Sequence, residues 1–166
     1  MNEIQFFLIF LGTFLIMECV TWCTHKFVMH GFMWYFHADH HQPKYAGIFE
    51  RNDVFFVIFA IPSITLFYFG VEGGLNYKFF IGLGIMFYGM CYFLIHDVLI
   101  HQRFKWFRRT ENTYFMAIRK AHKVHHKHLT KEDGECFGML FVPRKYWQDA
   151  KRAMAMKRNT GKPLQS

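Results

Sequence analysis

The sequence predicts an all-α integral membrane protein with about three membrane spans, on three observations. Hydrophobic residues make up 52% of the 166 positions, above the roughly 45–50% of an average soluble domain. The excess is concentrated in three long apolar runs, at residues 4–23, 54–71 and 79–95. No stretch rich in proline, glycine or serine divides the chain, so residues 1–166 are interpreted as a single domain.

The first run contains Glu18 as its only charged side chain. At about 1.5 Å per residue, a helix of this length crosses the roughly 30 Å hydrocarbon core of a bilayer. The second and third runs have the same apolar character. The basic tail at residues 145–166 is expected to form a short helix followed by a frayed end.

The basic residues fall on one side of the predicted membrane. The net charge is +8, and of the twenty lysines and arginines only Lys78 lies beside the connection between the second and third runs. The others follow the first or the third run, which by the positive-inside rule places those segments in the cytoplasm. Nucleic acid is not an expected partner, because none of the usual binding modules is present.

Ten of the eleven histidines form four groups next to the ends of the predicted spans. Because two crossings separate the first two groups from the last two, all four emerge at the same membrane face. The spacing H-x4-H followed by H-x2-H-H occurs twice, which either a duplication or two similar solutions would explain. The groups are His25 and His30; His37, His40 and His41; His96 and His101; and His122, His125 and His126.

Helix geometry directs the rings of each H-x2-H-H group to one place. Residues at i, i+3 and i+4 share an arc of about 100° on an α-helix. The last group therefore predicts an amphipathic helix over residues 112–127 at the membrane surface, with Tyr114 and Ile118 on its histidine face. His128 falls outside this arc and is left out of the set.

The H-x4-H pairs have a different geometry. Residues five apart are about 140° apart on an α-helix, so these pairs are expected to flank a site instead of lining one face. A span end that faces two metals, or a last turn that unwinds, would fit this spacing. Gly31 is expected to stop the first helix, and Pro43 to end the element that carries the second histidine group.

The number of histidines predicts a pair of metal ions. A single histidine near a membrane is usually an interfacial polar residue, but ten in four spaced groups require a common partner. Structural zinc takes four ligands and catalytic zinc three, so ten imidazoles indicate two ions with about five nitrogens each. Such sites with open positions suit iron that binds oxygen, although zinc is able to replace iron in purified samples.

Neutral imidazoles cancel none of the charge of two ions, so carboxylates are expected to orient the rings from behind. The first candidates are Asp97, on the same helical side as His101, and Glu18, two turns before His25. A helix-packing role is the alternative for Glu18. Asp53, together with its neighbour Asn52, is at least as well suited to cap the start of the second span as to act at the metal site. The weaker carboxylate candidates are Asp39, Glu50 and Asp53.

The four groups, HKFVMH, HADHH, HDVLIH and HKVHH, resemble the histidine boxes of the membrane-bound non-haem di-iron oxygenases of the fatty acid hydroxylase and sterol desaturase superfamily. Within it the chain is most similar to the bacterial β-carotene 3-hydroxylases. Supporting segments are MECVTWCTHKFVMHG, FERNDVFFVIFA, YFLIHDVLIHQRF and FGMLFVP, and the likeness covers about residues 15–143. The resemblance implies that the ten histidines bind two iron ions at the cytoplasmic face of the bacterial cytoplasmic membrane.

The resemblance also implies a monooxygenase that uses O2 and electrons from a ferredoxin to hydroxylate carbon 3 of β-ionone rings. It would convert β-carotene through β-cryptoxanthin to zeaxanthin. We expect the apolar carotenoid to enter sideways from the bilayer, and the basic cytoplasmic surface to attract an acidic ferredoxin. Membrane lipid and, in a homo-oligomer, a second copy of the chain are the other expected partners.

Other members of the superfamily are the main alternatives: a carotenoid ketolase, a lipid desaturase or a lipid hydroxylase. The desaturases of this superfamily are generally longer chains with three histidine boxes, so the short length and the fourth box of this chain disfavour a desaturase. An intramembrane zinc hydrolase is disfavoured because the H-E-x-x-H pair is missing. A metal transporter is disfavoured because the second run contains no histidine. A membrane b-type cytochrome would need axial histidines on facing spans, and an absorbance scan for haem tests it.

Overall fold

The computed structural model describes residues 2–42, 49–104, 106 and 110–160. All regular structure in these ranges is helical, which confirms the all-α prediction. Pro43 and the end of the basic tail, residues 161–166, lie outside the described residues. The α-helices are α1 (Glu3–Cys23), α2 (Trp34–His41), α3 (Val54–Val71), α4 (Tyr77–Tyr92), α5 (Thr113–His125) and α6 (Arg144–Thr160).

Three helical stretches are long and apolar enough to cross a membrane, as the sequence predicts. The first and third extend beyond the apolar runs because α1 and α4 continue into π-helical segments, Thr24–Phe32 and Phe93–Ile100, and the second begins with a 3-10 turn, Arg51–Asp53. The apolar runs end where histidines begin, but these histidines are buried against other side chains, so the helices continue through them. The three stretches are Glu3–Phe32, Arg51–Val71 and Tyr77–Ile100.

Glycines bring the spans together in the half of the bundle away from the histidines. An added Cβ on Gly84 of α4 would lie 2.7 Å from Thr13 Cβ of α1, and one on Gly82 would lie 3.0 Å from Ser63 O of α3. The Ser63 hydroxyl donates to the Gly82 carbonyl oxygen at 2.8 Å. Small residues at these positions let the backbones approach closely, as is typical of helix packing in membranes.

Helices α5 and α6 pack against each other through small side chains. Ala117 and Ala121 of α5 form a buried cluster with Tyr146 and Ala150 of α6. The Asn112 side chain caps α5 by accepting hydrogen bonds from two backbone N–H groups of its first turn. The observed range of α5 agrees with the helix predicted over 112–127, and α6 accounts for the basic helix predicted in the tail.

The orientation of α5 is also as predicted. Ile118, His122 and His125 are buried, whereas Lys120 and Lys123 on the opposite side are exposed. The histidine face of this helix therefore points into the protein and its lysine face points out.

We expect Gly84→Ala to lower the free energy of unfolding by about 1–3 kcal/mol, because the added methyl group overlaps Thr13 of α1. Thermal unfolding of the purified protein in detergent measures this loss. Gly12→Ala is the matched control, since a Cβ there meets no atom within 4 Å. Equal unfolding temperatures for the two variants would contradict the close approach of α1 and α4.

Candidate metal centre

The ten predicted histidines converge at one end of the three spans. Their ring nitrogens form two groups, and within each group the candidate ligand atoms lie within 4.8 Å of one another. His128 belongs to neither group among the described residues. Cluster A consists of His25, His30, His37, His41 and His125. Cluster B consists of His40, His101, His122 and His126, and His96 adjoins it with its Nε2 atom 3.0 Å from His40 Nε2.

Each cluster combines histidines from both halves of the sequence. Cluster A takes four histidines from the first two groups and His125 from the last. Cluster B, counted with His96, takes four from the last two groups and His40 from the first half. His40 and His125 are the middle histidines of the two H-x2-H-H groups. The two halves therefore exchange equivalent residues, and neither half completes a cluster alone.

The π-helical segments explain the H-x4-H spacing. A π-helix has i→i+5 hydrogen bonds, and the His101 N–H accordingly donates to the His96 carbonyl oxygen at 2.9 Å. This winding brings residues five apart to the same side of the helix. The ring centroids are 4.5 Å apart for His96 and His101 and 5.2 Å apart for His25 and His30. The pairs do not flank the site, because the α-helical geometry behind that expectation does not apply. The alternative of a last turn that unwinds agrees with the structure, since both spans end in wider π-helical turns.

The end of the first span is as expected from Gly31. Its backbone dihedrals, φ −111° and ψ −124°, are not helical, and the chain bends there before α2 begins. The bend lets α2 fold back, so that its histidines meet those of the span it follows.

Hydrogen bonds from behind fix the protonation of the rings in cluster A. Each Nδ1 atom lies next to a carbonyl oxygen, and because such an oxygen only accepts, Nδ1 must carry the proton. Nε2 is then an acceptor with a free lone pair. The pairs are His25 with Phe137 O (3.0 Å), His30 with Lys131 O (3.2 Å), His41 with His128 O (2.8 Å), His125 with Glu135 O (2.7 Å) and His37 with Asn52 Oδ1 (2.7 Å).

The lone pairs of cluster A face one another without a proton between them. The Nε2 atoms of His25 and His41 each lie 3.1 Å from His37 Nε2, and His30 Nε2 lies 3.3 Å from His125 Nε2. Among the described residues these five buried acceptors have no donor, which is unfavourable unless a cation binds among them. The donor set therefore fits a metal ion.

Charged side chains lie next to the rings of cluster B and of His96, whereas neutral carbonyl groups lie next to the rings of cluster A. Glu50 Oε2 accepts from His40 Nδ1 at 2.7 Å, and Asp97 Oδ2 lies 3.5 Å from His96 Nδ1. Arg103 pairs with both carboxylates at 3.0 Å. Its guanidinium offsets part of the charge that the two acids bring to this side of the site.

The carboxylates differ in part from the sequence-based expectation. Asp97 lies beside a histidine, but its partner is His96 and not His101. Glu50, ranked as a weaker candidate, makes the shorter contact with a ring. Asp53 accepts from the Glu50 backbone N–H and pairs with an arginine, in keeping with a cap at the start of the second span. Asp39 forms an ion pair with Arg51.

Glu18 has a different role from the one expected. In the described part of the chain its carboxylate binds a loop instead of a histidine: Oε1 accepts from the backbone N–H groups of Met139, Leu140 and Phe141 at 2.9, 2.9 and 3.2 Å. Oε2 accepts from the Tyr88 hydroxyl at 2.6 Å. Glu18 thus anchors residues 137–141, which we call the strap, against α1.

The strap connects Glu18 to the metal site indirectly. Its first residue, Phe137, supplies the carbonyl oxygen that receives the His25 Nδ1 proton. An added Cβ on Gly138 would lie 3.0 Å from Glu18 Oε1 and 3.2 Å from Phe141 O, so a larger residue there would displace the carboxylate or the strap by a few tenths of an ångström. The packing alternative considered for Glu18 is therefore nearer to the observed structure than a direct contact with a ring.

Sequence reasoning missed several residues that hold the rings. Asn52 was considered only as a helix cap, but its side chain binds His37. Arg103 and the backbone carbonyls of residues 128–137 were not considered. A polar ERND segment at the start of an apolar span was the available signal for Asn52, whereas backbone carbonyls leave no signal in a sequence.

Burial keeps the rings outside the spans neutral. Removal from water is the largest cause of the low pKa values, and repulsion among neighbouring rings lowers most of them further. Neutral imidazole is the form that binds a metal, so these rings are ready for binding at neutral pH. The pKa falls to about 2 for His37 and His126, to about 3 for His125, and to about 4 for His41 and His101.

A largely apolar cavity leads from the spans to both clusters. Its empty volume, including the part open to the outside, is about 830 Å³. The walls are lined by Met17 of α1 and by Phe55 and Phe59 of α3. Two histidines, His25 and His96, also line the cavity. A molecule in this cavity would contact cluster A at His25. It would approach cluster B at His96, which adjoins that cluster.

The fold and the site define a class: a membrane-spanning helical protein in which buried histidines form a metal centre at one end of an apolar cavity. Comparison with known families is in agreement. Residues 10–144 match the family model described as fatty acid hydroxylase, so the chain belongs to this family. It is therefore a hydroxylating oxygenase. No solved structure is significantly similar to the chain.

Several curated relatives of the chain are named beta-carotene hydroxylases. The chain is 39% identical over 127 residues to a beta-carotene hydroxylase of Pantoea ananas, covering 76% of this chain and 71% of the relative. It is 32% identical over 160 residues to a beta-carotene hydroxylase of Paracoccus sp. (strain PC1), covering 95% and 98%. A chloroplastic beta-carotene hydroxylase of Capsicum annuum is 37% identical over 127 residues, covering 72% and 38%.

We expect Glu18→Leu to destabilise the protein more than Glu18→Gln does. Leucine leaves the strap N–H groups without an acceptor, at about 1–3 kcal/mol for each buried donor, whereas glutamine retains a carbonyl oxygen for them. Thermal unfolding and proteolysis within residues 137–141 measure the difference. If the leucine and glutamine variants unfold and are cleaved alike, the anchor assigned to Glu18 is wrong.

The stability of the metal-free protein should fall as the pH drops below about 6.5. Folded-state pKa values near 4 for His41 and His101 lie below the ordinary value of 6.5, so between these values the unfolded chain binds more protons than the folded chain. Each such group removes about 1.4 kcal/mol per pH unit. Unfolding midpoints at pH 7.5 and pH 5 test this.

A shallower pH dependence is expected for His101→Gln, which removes one titrating ring. Unfolding midpoints that do not change between neutral and acidic pH would contradict the burial of neutral histidines.

Proposed function

We propose that the protein is a carotenoid hydroxylase that acts at carbon 3 of β-ionone rings, converting β-carotene through β-cryptoxanthin to zeaxanthin. The observation that carries this is the apolar cavity between the spans, which reaches His25 of cluster A and His96 beside cluster B. The names of the curated relatives support the substrate class. In each turnover one oxygen atom of O2 enters a ring C–H bond and the other becomes water, with two electrons and two protons supplied.

The ten histidines would hold two iron ions, one in cluster A and one in cluster B with His96. When bound, the irons supply the activation of dioxygen that an unactivated C–H bond requires. Zinc would compete for the same nitrogen ligands in a purified sample, because it binds such ligands more tightly than ferrous iron. The protein itself contributes the ring orientations, through the carbonyl, Asn52 and Glu50 contacts of the Nδ1 atoms.

The cavity would position the substrate and exclude water. A carotenoid is about as long as the bilayer is thick, so one end reaches the histidines while the rest lies among the spans. Phe55, Phe56 and Phe59 of α3 and Met17 of α1 give much of the wall an apolar surface that suits a hydrocarbon chain. Exclusion of water protects a strongly oxidising site from side reactions. Because one site faces one ring at a time, the singly hydroxylated product precedes the doubly hydroxylated one.

Electrons would arrive from an acidic ferredoxin at the cytoplasmic face. The positive-inside distribution of lysines and arginines supports this orientation in the bacterial cytoplasmic membrane. Lys123 on the outer side of α5 is exposed one residue from His122 of cluster B. A basic surface this close to the metal centre suits a negatively charged donor, and salt would weaken the contact.

Expression in a bacterium that accumulates β-carotene tests the proposal by pigment analysis. We expect zeaxanthin from the parent protein, with β-cryptoxanthin appearing earlier, and no hydroxylated pigment from His126→Ala, which loses a cluster B ligand. His128→Ala is the matched control and should retain activity, because its ring belongs to neither cluster. Ketolated or desaturated pigments from the parent, or an active His126→Ala, would refute the assigned reaction or site.

A further inference from the structure

We propose that Gly89 is a specificity-determining residue, because its missing side chain gives the cavity the width that a methyl-substituted terminal ring needs. The inference rests on the proposed function and adds to it a residue that contacts neither cluster. Gly89 lies in α4, among the residues that line the cavity.

The position of Gly89 on α4 directs it into the cavity. Ile85, Tyr88, Gly89 and Tyr92 all line the cavity, and they are spaced at i, i+3, i+4 and i+7. This spacing forms one stripe along an α-helix. Gly89 falls within the stripe, so a side chain there would extend between α1 and α3 into the cavity and not into the surrounding lipid.

Helix packing does not account for this glycine. At Gly70, Gly82 and Gly84 an added Cβ would approach atoms of a neighbouring span to 3.0 Å or less, so glycine is needed there for the helices to touch. At Gly89 an added Cβ meets no atom within 4 Å. A glycine inside a helix costs roughly 0.5–1 kcal/mol relative to alanine. Gly12 of α1 is equally open but lies outside the cavity lining, whereas the open space at Gly89 belongs to the cavity and a side chain there would reduce it.

The pattern of glycines along α4 gives the cavity its shape. Close contacts at Gly82 and Gly84 join the spans in the half away from the histidines, and open space at Gly89 separates them in the half near the histidines. From Gly89 the same face of α4 continues to Tyr92 and then to His96. The open space at Gly89 thus lies on the side of the cavity that leads to the metal centre, where the terminal ring of the substrate would have to lie.

The width distinguishes two kinds of apolar substrate end. A cyclohexene ring with paired methyl groups is broad, whereas the end of an acyclic polyene is a single chain. A leucine side chain at residue 89 would occupy the space that the ring needs, and a linear end would still pass beside it. The chemical class selected at Gly89 is therefore a polyene with a cyclic end.

The test uses the purified full-length protein in lipid nanodiscs, with carotene binding measured by quenching of tryptophan and tyrosine fluorescence. Gly89→Ala and Gly89→Leu are compared with Gly12→Leu, whose position is equally open but lies outside the cavity lining. Metal content and unfolding temperature are measured for each variant. We expect both quantities to match the parent in all three, because an added Cβ meets no atom within 4 Å at either position.

For Gly89→Leu we expect the affinity for β-carotene to fall about tenfold or more, with a smaller loss for Gly89→Ala and none for Gly12→Leu. The affinity for lycopene, an acyclic carotene, should fall less than about threefold. Unchanged β-carotene binding by Gly89→Leu, or equal losses for both carotenes, would overturn the inference. A parent that binds β-carotene but forms no zeaxanthin contradicts the proposed function instead, and a parent that binds neither carotene removes both.

Discussion

The structure depends on one constraint: in the described part of the chain, five buried Nε2 atoms of cluster A are hydrogen-bond acceptors that face one another without a donor, because each ring proton is on Nδ1 and is donated to an oxygen behind the ring. Such a group is stable only around a cation or as part of a fold strong enough to hold it together without one. The low pKa values of these rings arise from the same burial, which prevents protons from taking the place of a metal at neutral pH. Much of the remaining architecture serves to hold the rings in this arrangement.

The two clusters are held by different kinds of neighbouring groups. Cluster A depends on neutral backbone carbonyls between residues 128 and 137, so its geometry is determined by a loop. Glu18 holds the end of that loop from within the first span, which links a carboxylate deep in the bundle to a ring in the site. Cluster B depends on Glu50 and Asp97, whose charge Arg103 offsets. The two halves of the sequence use the same histidine spacing, yet they surround it with different chemistry.

The sequence was sufficient to predict the spans and the meeting of the histidine groups, because apolar length and helical spacing are local properties. Residue contacts across the fold were not predictable in this way. The choice of π-helical winding at His96 and His101 depends on where the other rings lie, and α-helical geometry gave the wrong relation between them. Glu18 was singled out correctly as a costly group in an apolar run, but its partner is a strap more than a hundred residues away. Asn52 was considered only as a helix cap, because its contact with His37 depends on how the second histidine group folds back onto the second span.

The exchange of His40 and His125 has a consequence for the order of events during synthesis. The N-terminal half of the chain carries only four members of cluster A, and His125 lies near the C-terminal end of α5. A nascent chain whose first two spans have already entered the bilayer therefore has no complete nitrogen cage until α5 has left the ribosome. The five-nitrogen set of cluster A is therefore complete only when α5 has docked, which links the final coordination of the site to the folding of the C-terminal half of the chain.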